Sequence, residues 1–109
     1  MARNVLHSRF KWAFDWVPNC QRLLEIGGGT GIIANEYRKK AKEVYLIEAN
    51  PDYVRACKKL YPKVHVKQSP AEKIPFGNGF FDVVVMTDTL EHVKNDKKSV
   101  QEIYRVLKK

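Results

Sequence analysis

Short apolar runs alternate along the chain with segments in which apolar residues recur every three or four positions. Four of these runs have the nearly continuous apolar character of buried strands, and they cover residues 22–26, 44–48, 64–67 and 81–86. The segments of helical periodicity precede, separate or follow most of the runs. The resulting order of helix, strand, helix, strand, helix, strand, strand, helix predicts an α/β fold with a doubly wound, mostly parallel sheet.

Capping residues mark the boundaries of the predicted helices. Asn50 followed by Pro51 predicts a helix that runs to about Leu60, because asparagine caps free N–H groups and proline suits the first helical position. Two further helices are predicted over residues 8–17 and 30–40. Asp96 caps the last helix, in which apolar spacing predicts a buried stripe of Val100, Ile103, Tyr104 and Leu107.

Length and composition narrow the class of protein. With 109 residues, 44% of them hydrophobic, the chain is long enough for one domain, which we expect to span residues 1–109. No apolar run approaches the roughly 20 residues of a membrane span, and the first residues lack the apolar stretch of a signal peptide. Cys20 and Cys57 lack metal-ligand spacing and suit a reducing compartment, so we expect a cytoplasmic protein without a metal site.

The charge balance raises the question of a polyanionic partner. Twenty Lys and Arg against twelve Asp and Glu give a formal net charge of +8, which is typical of nucleic-acid-binding domains. Many of the cations fall along predicted helices, where solvated outer faces are the ordinary explanation. Six of the twelve acidic residues are more informative, because most of them fall near the ends of predicted strands; they are Glu25, Glu48, Glu72, Asp82, Asp88 and Glu91. Carboxylates gathered there in a basic protein favour a cationic ligand.

A glycine-rich turn follows the first predicted strand, at the edge of the sheet where α/β proteins bind ligands. Gly27, Gly29 and Gly31 occupy alternate positions, and Glu25 precedes them by two residues. Glycine permits positive φ angles and close approach of a ligand to the main chain. A dinucleotide fingerprint needs a glycine where Ile32 stands, and the turn lacks the Lys-Ser/Thr pair of a P-loop. The turn therefore differs from both kinds of phosphate site.

With this turn the sequence resembles the class I S-adenosylmethionine-dependent methyltransferases, in particular their small-molecule subgroup. The first motif of that family is E/D-x-G-x-G-x-G, and residues 25–31 match every defined position. Glu48 then ends the second strand where the family keeps an acid, and other similar segments cover residues 69–76, 81–85, 90–93 and 103–108. The resemblance implies a Rossmann-like sheet of strand order 3-2-1-4 that lacks the family's usual last three strands.

The resemblance also implies S-adenosyl-L-methionine as the cofactor and a small molecule as the methyl acceptor. A cofactor with a sulfonium and an ammonium group suits a turn that offers the Glu25 carboxylate, and Glu48 can accept both ribose hydroxyls. The implied cofactor-binding residues are Glu25, Gly27, Gly29, Thr30, Gly31, Glu48, Ala49, Ala71, Glu72 and Thr87. Because Pro70 stands where the family often has an Asp beside the adenine, adenine recognition is expected to rest on the Ala71 amide and apolar packing.

His92 follows the fourth predicted strand, close to the expected position of the transferable methyl group. It is the candidate general base for the acceptor, and hydrogen bonding to loop backbone is the structural alternative. The aromatic residues of the first helix are candidates for a lid or a membrane-surface contact, and core packing is the alternative for them; they are Phe10, Trp12, Phe14 and Trp16.

Two other functions remain open. The chain can be a non-catalytic cofactor-binding or regulatory remnant, since it is short for the family. It can also be a nucleic-acid-associated methyltransferase module, although no aromatic–basic motif supports that function. The strand over residues 81–86 would lie at a sheet edge without a guarding Lys, Pro or bulge. We therefore expect either a truncated product or a subunit that a second copy or a partner chain completes at this edge.

Overall fold

The computed structural model describes residues 11–86 and 96–109, and its strands form one parallel sheet. The strands are β1 (Cys20–Ile26), β2 (Ala41–Glu48), β3 (His65–Gln68) and β4 (Val83–Val85), in the order β3-β2-β1-β4. The helical segments of the described ranges are α1 (residues 11–16), α2 (Ile32–Tyr37), α3 (Pro51–Leu60) and α4 (Asp96–Val106). The α/β class, the parallel sheet and the strand order 3-2-1-4 are confirmed.

The central position of β1 determines where a ligand can bind. This strand pairs in parallel with β2 on one side and with β4 on the other. Ile26 and Ile47 are register partners at the carboxyl ends of β1 and β2, so the segments that follow the two strands leave the sheet side by side. That edge of the sheet is the usual ligand-binding edge of α/β proteins.

Both faces of the sheet are covered, as the doubly wound class requires. The first hydrophobic cluster joins one face to α1, α2 and α3, and its most buried members are Leu23, Leu46, Tyr37 and Cys57. The second cluster joins the other face to α4 and the segment 71–81, and its most buried members are Leu24, Ile47, Phe81 and Val106. Successive residues of β1 thus enter opposite clusters, as the alternation of side chains along a strand dictates.

Helix α3 agrees with the sequence prediction, whereas α2 is shorter than the predicted 30–40. The side-chain oxygen of Asn50 accepts a 2.9 Å hydrogen bond from the Asp52 N–H and caps α3, and a proline takes the first helical position. Helix α2 begins only after Gly31, whose φ of 94° is not helical. At its other end, the N–H groups of residues 38–40 donate to carbonyls three positions earlier, which tightens the chain into a turn before β2.

Strand β4 is also shorter than the apolar run 81–86 that predicted it. The Asp82 carboxylate accepts hydrogen bonds of 3.1 and 2.8 Å from the backbone N–H groups of Gln21 and Arg22. The Asp82 N–H also donates to the Arg22 carbonyl at 3.0 Å, so backbone contact with β1 continues one residue before β4 while the side chain takes the neighbouring N–H groups. Phe81 forms an isolated parallel bridge with Leu107, the residue that follows α4.

The predicted buried stripe of α4 is wrong at two of its four positions. Val100 and Tyr104 are 54% and 67% exposed, and the other two are half-buried. The buried residues of this helix are Ser99, Glu102 and Val106. The buried side is rotated because Glu102 and Arg105 form hydrogen bonds with the backbone of residues 74–76. Apolar spacing alone gives no sign of such a polar contact.

The aromatic residues of α1 divide between core and surface. Phe14 is half-buried and its ring lies 5.5 Å from that of Tyr37, so core packing is confirmed for this residue. Trp12 and Trp16 are 69% and 75% exposed, so the core alternative is wrong for them. Phe10 lies outside the described residues. None of the described helices has the length and apolarity needed to cross a bilayer.

Candidate functional site

The glycine-rich turn connects β1 to α2 through left-handed backbone conformations. Gly27, Gly29 and Gly31 have φ angles of 72°, 61° and 94°, a region in which other residues are strained. The Gly27 N–H donates a 2.8 Å hydrogen bond to the Ile47 carbonyl, which extends the pairing of β1 and β2 past the end of β1. A Cβ on Gly29 would meet no atom within 4 Å, so the turn borders open space there. Backbone conformation thus explains the three alternate glycines.

Gly28 is a site residue that the sequence analysis did not single out. A Cβ on Gly28 would lie 2.3 Å from Glu25 Oε1 and 2.6 Å from Leu46 Cδ1, distances that real Cβ atoms do not reach. A side chain at position 28 would therefore force the Glu25 carboxylate and the Leu46 side chain to move. The available signal was the run of three consecutive glycines, of which the alternating motif accounts for the first and third.

Glu25 carries a buried carboxylate directly beneath this turn. The residue is 4% exposed, and its Oε1 atom has no hydrogen-bond partner among the described residues. Burial and, to a smaller extent, the charge of Glu48 raise the pKa of Glu25 to about 7, against the lowering effect of a hydrogen bond from the Ala34 N–H. A buried oxygen without a donor is costly. A cationic donor at the turn would remove that cost.

Glu48 ends β2 and its carboxylate is held by the backbone. The Gly29 N–H donates to Oε1 at 2.9 Å, and the Asn50 N–H donates to Oε2 at 2.8 Å. Each carboxylate oxygen retains acceptor capacity for a further donor. The side chain is thus fixed in place and still able to accept two neighbouring hydroxyl groups. Its bond to Gly29 also joins the end of β2 to the turn that follows β1.

The segment after β3 lies against the same edge of the sheet. The Ser69 N–H donates a 3.1 Å hydrogen bond to the Glu48 carbonyl. Two residues later, Ala71 is buried in the second hydrophobic cluster with apolar residues of β1 and β2, and Glu72 is half-buried. The structure therefore places Ala71 next to the strands that carry Glu25 and Glu48, and Glu72 follows it in the chain.

The remaining predicted site residues are less constrained. Thr30 is half-buried in the glycine-rich turn, and Ala49 is exposed immediately after β2. Thr87 and His92 lie outside the described residues, so their roles stay predictions. Within the ranges 11–86 and 96–109, no group of three or more His, Cys, Asp or Glu side chains is arranged to hold a metal ion.

Two residues of α4 that touch the segment after β3 were missed at the sequence level. Glu102 accepts a 2.8 Å hydrogen bond from the Ile74 N–H, and Arg105 donates one of 2.8 Å to the Ile74 carbonyl. The sequence offered only an acid and an arginine three residues apart on a predicted helix. That pattern is common on solvated helix faces, so it carried no specific signal.

The chemistry of this edge suits a cationic ligand with adjacent hydroxyl groups. A phosphate site at a glycine-rich turn presents free N–H groups and a nearby cation. Here the Gly29 N–H is already bonded to the Glu48 carboxylate, and the nearest ionisable group beneath the turn is another carboxylate, Glu25. The turn thus presents negative charge where a phosphate site would present positive charge.

A parallel α/β sheet with an acidic, glycine-rich turn after its central strand defines a class of cofactor-binding domains. Within that class, the sequence model of the methyltransferase domain matches residues 24–109, and the chain belongs to this family. The resemblance inferred from the motif is confirmed.

Individual relatives agree with this assignment. The ubiquinone/menaquinone biosynthesis C-methyltransferase UbiE of Stutzerimonas stutzeri is 30% identical over 112 residues, which are 94% of this chain and 44% of the relative. The YcgJ protein of Bacillus subtilis superimposes with a TM-score of 0.88 at 24% identity, over 94% of this chain and 47% of that one.

A Haloferax volcanii methyltransferase, solved in complex with the Trm112 methyltransferase activator, gives a TM-score of 0.83 at 17% identity. That match covers 90% of this chain and 46% of the other chain. The two structural likenesses, at 24% and 17% identity, show the fold alone. In each of these comparisons the chain spans less than half the length of the protein it matches.

Proposed function

We propose that this chain is an S-adenosylmethionine-dependent methyltransferase domain, organised as a single unit over residues 1–109, that transfers a methyl group to a small-molecule acceptor. The observation that carries the proposal is the buried Glu25 carboxylate, whose Oε1 lacks a donor among the described residues and lies beneath a turn of positive-φ glycines. Family membership and the backbone-held carboxylate of Glu48 support it independently.

Three parts of the cofactor, its amino group, its ribose and its adenine, have a chemical counterpart in the chain. The amino group is a cationic donor of the kind that the Glu25 oxygen lacks. The two ribose hydroxyls match the remaining acceptor capacity of Glu48. The adenine would lie against the Ala71 amide and the apolar residues around it, since Pro70 offers no side-chain hydrogen bond. Positive-φ glycines allow the ligand to approach the main chain between these groups.

The bound cofactor supplies an electrophilic methyl group on its sulfonium. The described residues bind and orient that cofactor, and orientation of an acceptor in line with the methyl group supplies much of the rate enhancement. For an acceptor that must lose a proton, we propose His92 as the general base. Thr87, between β4 and His92 in the sequence, is proposed as a further cofactor contact.

Calorimetric titration tests this function without knowledge of the acceptor. S-adenosylmethionine and S-adenosylhomocysteine are each titrated into the protein, with NAD as the matched adenine nucleotide that carries phosphates and no sulfonium. We expect binding of the two sulfur-containing ligands and none of NAD. Equal affinity for NAD, or no binding of either sulfur-containing ligand, would contradict the proposal.

Methyl transfer itself is tested with isotopically labelled cofactor and a panel of carbon, oxygen and nitrogen nucleophiles. A carbon acceptor heads the panel, because relatives carry the name of a C-methyltransferase. Cofactor binding without transfer to any acceptor would favour the alternative function, a non-catalytic cofactor-binding or regulatory protein. Transfer to RNA or DNA would instead favour the alternative of a nucleic-acid-associated methyltransferase module. The net charge of +8 is the observation that supports this alternative.

We also propose that the outer edge of β4 associates with a second copy or a partner chain, and that the protein acts in the cytoplasm. Among the described residues, the strand partner of β4 is β1, and Val83 and Val84 are half-buried. A structural neighbour was solved in complex with an activator protein, which supports the proposal that this chain associates with a partner. Light scattering at low micromolar concentration tests it, and a stable monomer with protected β4 amides would contradict it.

A further inference from the structure

Helix α4 presents a pair of charged side chains, Glu102 and Arg105, to the segment 69–76 on the second face of the sheet. The two lie one helical turn apart and form a salt bridge, with Arg105 Nε 2.7 Å from Glu102 Oε2. Glu102 is 7% exposed as a residue. The hydrogen bonds from Arg105 lower the pKa of this carboxyl to about 2, so Glu102 remains ionised at neutral pH.

Every donor of the Arg105 guanidinium has a partner. Nε bonds Glu102 Oε2 at 2.7 Å, and Nη2 bonds Glu102 Oε1 at 3.0 Å and the Ile74 carbonyl at 2.8 Å. Nη1 bonds the Phe76 carbonyl and Asn78 Oδ1, both at 2.9 Å. Arginine has five N–H donors in a rigid planar fork, so all five are used. A lysine has three donors on a flexible stem and cannot reproduce this set.

The pair holds the backbone of the segment in the way that a neighbouring strand would. Glu102 Oε1 accepts the Ile74 N–H at 2.8 Å, while Arg105 takes the carbonyl of the same residue. Ser69 ties the other end of the segment, because its Oγ donates to the Lys73 carbonyl at 2.6 Å and its N–H donates to the Glu48 carbonyl. A continuous set of hydrogen bonds therefore runs from α4 to the end of β2.

Ala71 lies between these two attachment points. It is 8% exposed and shares the second hydrophobic cluster with Ile74, which is 2% exposed. This stretch consists of turns and bends, with backbone hydrogen bonds from the Lys73 N–H to the Pro70 carbonyl and from the Phe76 N–H to the Ile74 carbonyl. Side chains of α4 add bonds to both the N–H and the carbonyl of Ile74. The position of the Ala71 amide thus depends on how firmly Glu102 and Arg105 hold Ile74.

Another pair with the same spacing shows that burial makes the difference. Asp52 and Arg55 of α3 are also three residues apart and form a salt bridge, but their side chains are 75% and 70% exposed. Exposed pairs of this kind contribute little to stability. The Glu102 and Arg105 side chains are 10% and 33% exposed and reach the backbone of another segment. Of these two pairs, only Glu102 and Arg105 can therefore influence the position of a segment at the binding site.

We infer that Glu102 and Arg105 are positioning residues for the adenine side of the cofactor site: they fix the segment 69–76 so that the Ala71 amide meets the ligand. This inference rests on the proposed function. Neither residue touches the cofactor, and both act through Ile74. Their loss weakens cofactor binding by leaving the segment mobile while the sheet stays intact.

The experiment compares S-adenosylhomocysteine affinity in four variants of the full chain at a temperature where circular dichroism shows all of them folded. Arg105→Lys keeps the charge and loses the fork, and Glu102→Gln keeps the shape and loses the charge. Arg55→Lys is the matched exposed control. Val44→Ala controls for stability, because Val44 is buried in the first cluster on the opposite face.

We expect Arg105→Lys to weaken S-adenosylhomocysteine binding by roughly tenfold to a hundredfold, the size of effect known for residues that orient the ligands of metal sites. Glu102→Gln weakens it less, since a neutral oxygen can still accept the Ile74 N–H. Val44→Ala lowers the melting temperature, and Arg55→Lys changes neither the melting temperature nor the affinity for S-adenosylhomocysteine. Amide hydrogen exchange in Arg105→Lys rises over residues 69–76 and stays unchanged in β1 and β2.

Parental affinity in both Arg105→Lys and Glu102→Gln would overturn the inference, as would an equal loss of affinity in Val44→Ala at matched stability. If Arg105→Lys does not fold, Glu102→Gln carries the same comparison. Absence of binding by the parent chain would overturn the proposed function and this inference with it. Binding by the parent together with unchanged variants would overturn the inference alone.

Discussion

Glu25 and Glu48 lie at the carboxyl ends of neighbouring strands of one sheet, and the environments of their two carboxylates differ. Glu25 is buried, its Oε1 lacks a donor among the described residues, and its pKa is raised to about 7. Both oxygens of Glu48 accept backbone N–H groups, and the residue is half-buried. The difference comes from the backbone, because the glycine-rich turn covers the first carboxylate, whereas the N–H groups of Gly29 in that turn and of Asn50 after β2 donate to the second.

This contrast assigns different ligand groups to the two acids. Desolvation makes the ionised form of Glu25 costly, so the site gains most when a cation neutralises it. Glu48 is already stabilised by two donors and suits neutral hydroxyl groups, which need an acceptor held in a fixed position. One residue type thus provides both a charge partner and a positioned acceptor within the same turn.

Replacement of Gly28 by valine should abolish the difference between the environments of the Glu25 and Glu48 carboxylates. Its Cβ would lie 2.3 Å from Glu25 Oε1, so either the carboxylate or the turn must move. We expect S-adenosylhomocysteine affinity to fall by more than about a hundredfold, with a stability loss of roughly 1–3 kcal/mol from overpacking. Gly77→Ala is the matched control, because its Cβ would meet no atom within 4 Å. Calorimetric affinities of Gly28→Val and Gly77→Ala that agree would contradict the role of Gly28.

Glu25→Gln should show how much the charge of Glu25, as distinct from the shape of its side chain, contributes to ligand binding. The amide fits the same space but cannot neutralise a cation, so affinity for S-adenosylhomocysteine should fall by about 1.5–3 kcal/mol, the range for hydrogen bonds to charged groups. In the absence of ligand the variant should be more stable than the parent at pH 8. Calorimetry and chemical denaturation measure the two quantities. A variant that binds as tightly as the parent would exclude Glu25 as the cation partner.

Glu48→Ala should cost about 1–3 kcal/mol of cofactor affinity, because the ribose hydroxyls and two backbone N–H groups lose their acceptor. Glu48→Gln should cost less, since one oxygen remains. The deoxy ligand 2′-deoxyadenosyl-homocysteine lacks one ribose hydroxyl. It should bind the parent more weakly than S-adenosylhomocysteine does, whereas Glu48→Ala should bind the two ligands equally. If the deoxy ligand loses the same factor in both proteins, Glu48 does not hold the ribose.

Cofactor affinity of the parent should increase with pH between 6 and 8. The ligand's cation requires ionised Glu25, whose raised pKa of about 7 leaves only about a tenth of it ionised at pH 6. The expected gain is about tenfold. The carboxylate of Glu48 also lies near Glu25 and contributes to its raised pKa. Tyr37 and Cys57, which also lie near it, have raised pKa values and stay neutral over this range. An equally steep pH dependence in Glu25→Gln would show that another group is responsible.

The same pKa has the opposite consequence for the ligand-free protein. Because the folded-state pKa of Glu25 lies above its ordinary value of 4.5, the folded state binds the proton more tightly than the unfolded state. The contribution to stability is therefore present at low pH and lost as the pH rises through about 7. Thermal denaturation across this range in parent and Glu25→Gln would measure it.

Asn50→Ala should have the smallest effect on binding. Loss of the cap of α3 should lower stability by about 0.5–2 kcal/mol. The hydrogen bond to Glu48 Oε2 comes from the backbone N–H of residue 50, which alanine retains, so affinity should stay within about a factor of two. Denaturation and calorimetry on the same samples provide the check. A large loss of affinity would mean that the cap itself orients Glu48.

Local sequence determined the parts of this protein that depend on local physics. Asn50 and Pro51 define the start of α3, and the apolar runs locate the strands because buried parallel strands need continuous apolar residues. The alternating glycines indicated a turn, and the acids at positions 25 and 48 followed from the family motif. Strand order also came from the resemblance, since nothing local distinguishes 3-2-1-4 from other arrangements.

The features that were missed all depend on contacts between distant residues. Residues 81–86 are apolar enough for a long strand, but β4 covers Val83–Val85, and just before it the Asp82 carboxylate bonds the backbone at positions 21 and 22. Helix α4 is rotated by the contacts of Glu102 and Arg105 with Ile74, some 30 positions away. The space at Gly28 is limited by the side chain of Glu25 beneath it. Periodicity within one segment contains none of this information.

The two neighbours of β1 also have a consequence for the order in which the chain folds. Leu23 pairs with Val44 on one side and with Val83 on the other, so one partner is 21 positions away and the other 60. Contacts of high sequence separation form late, because the intervening chain must first close a long loop. On the ribosome, at about 5–20 residues per second, the open edge of β1 would wait several seconds for β4. Pulsed hydrogen exchange should therefore find the amides between β1 and β2 protected before those between β1 and β4.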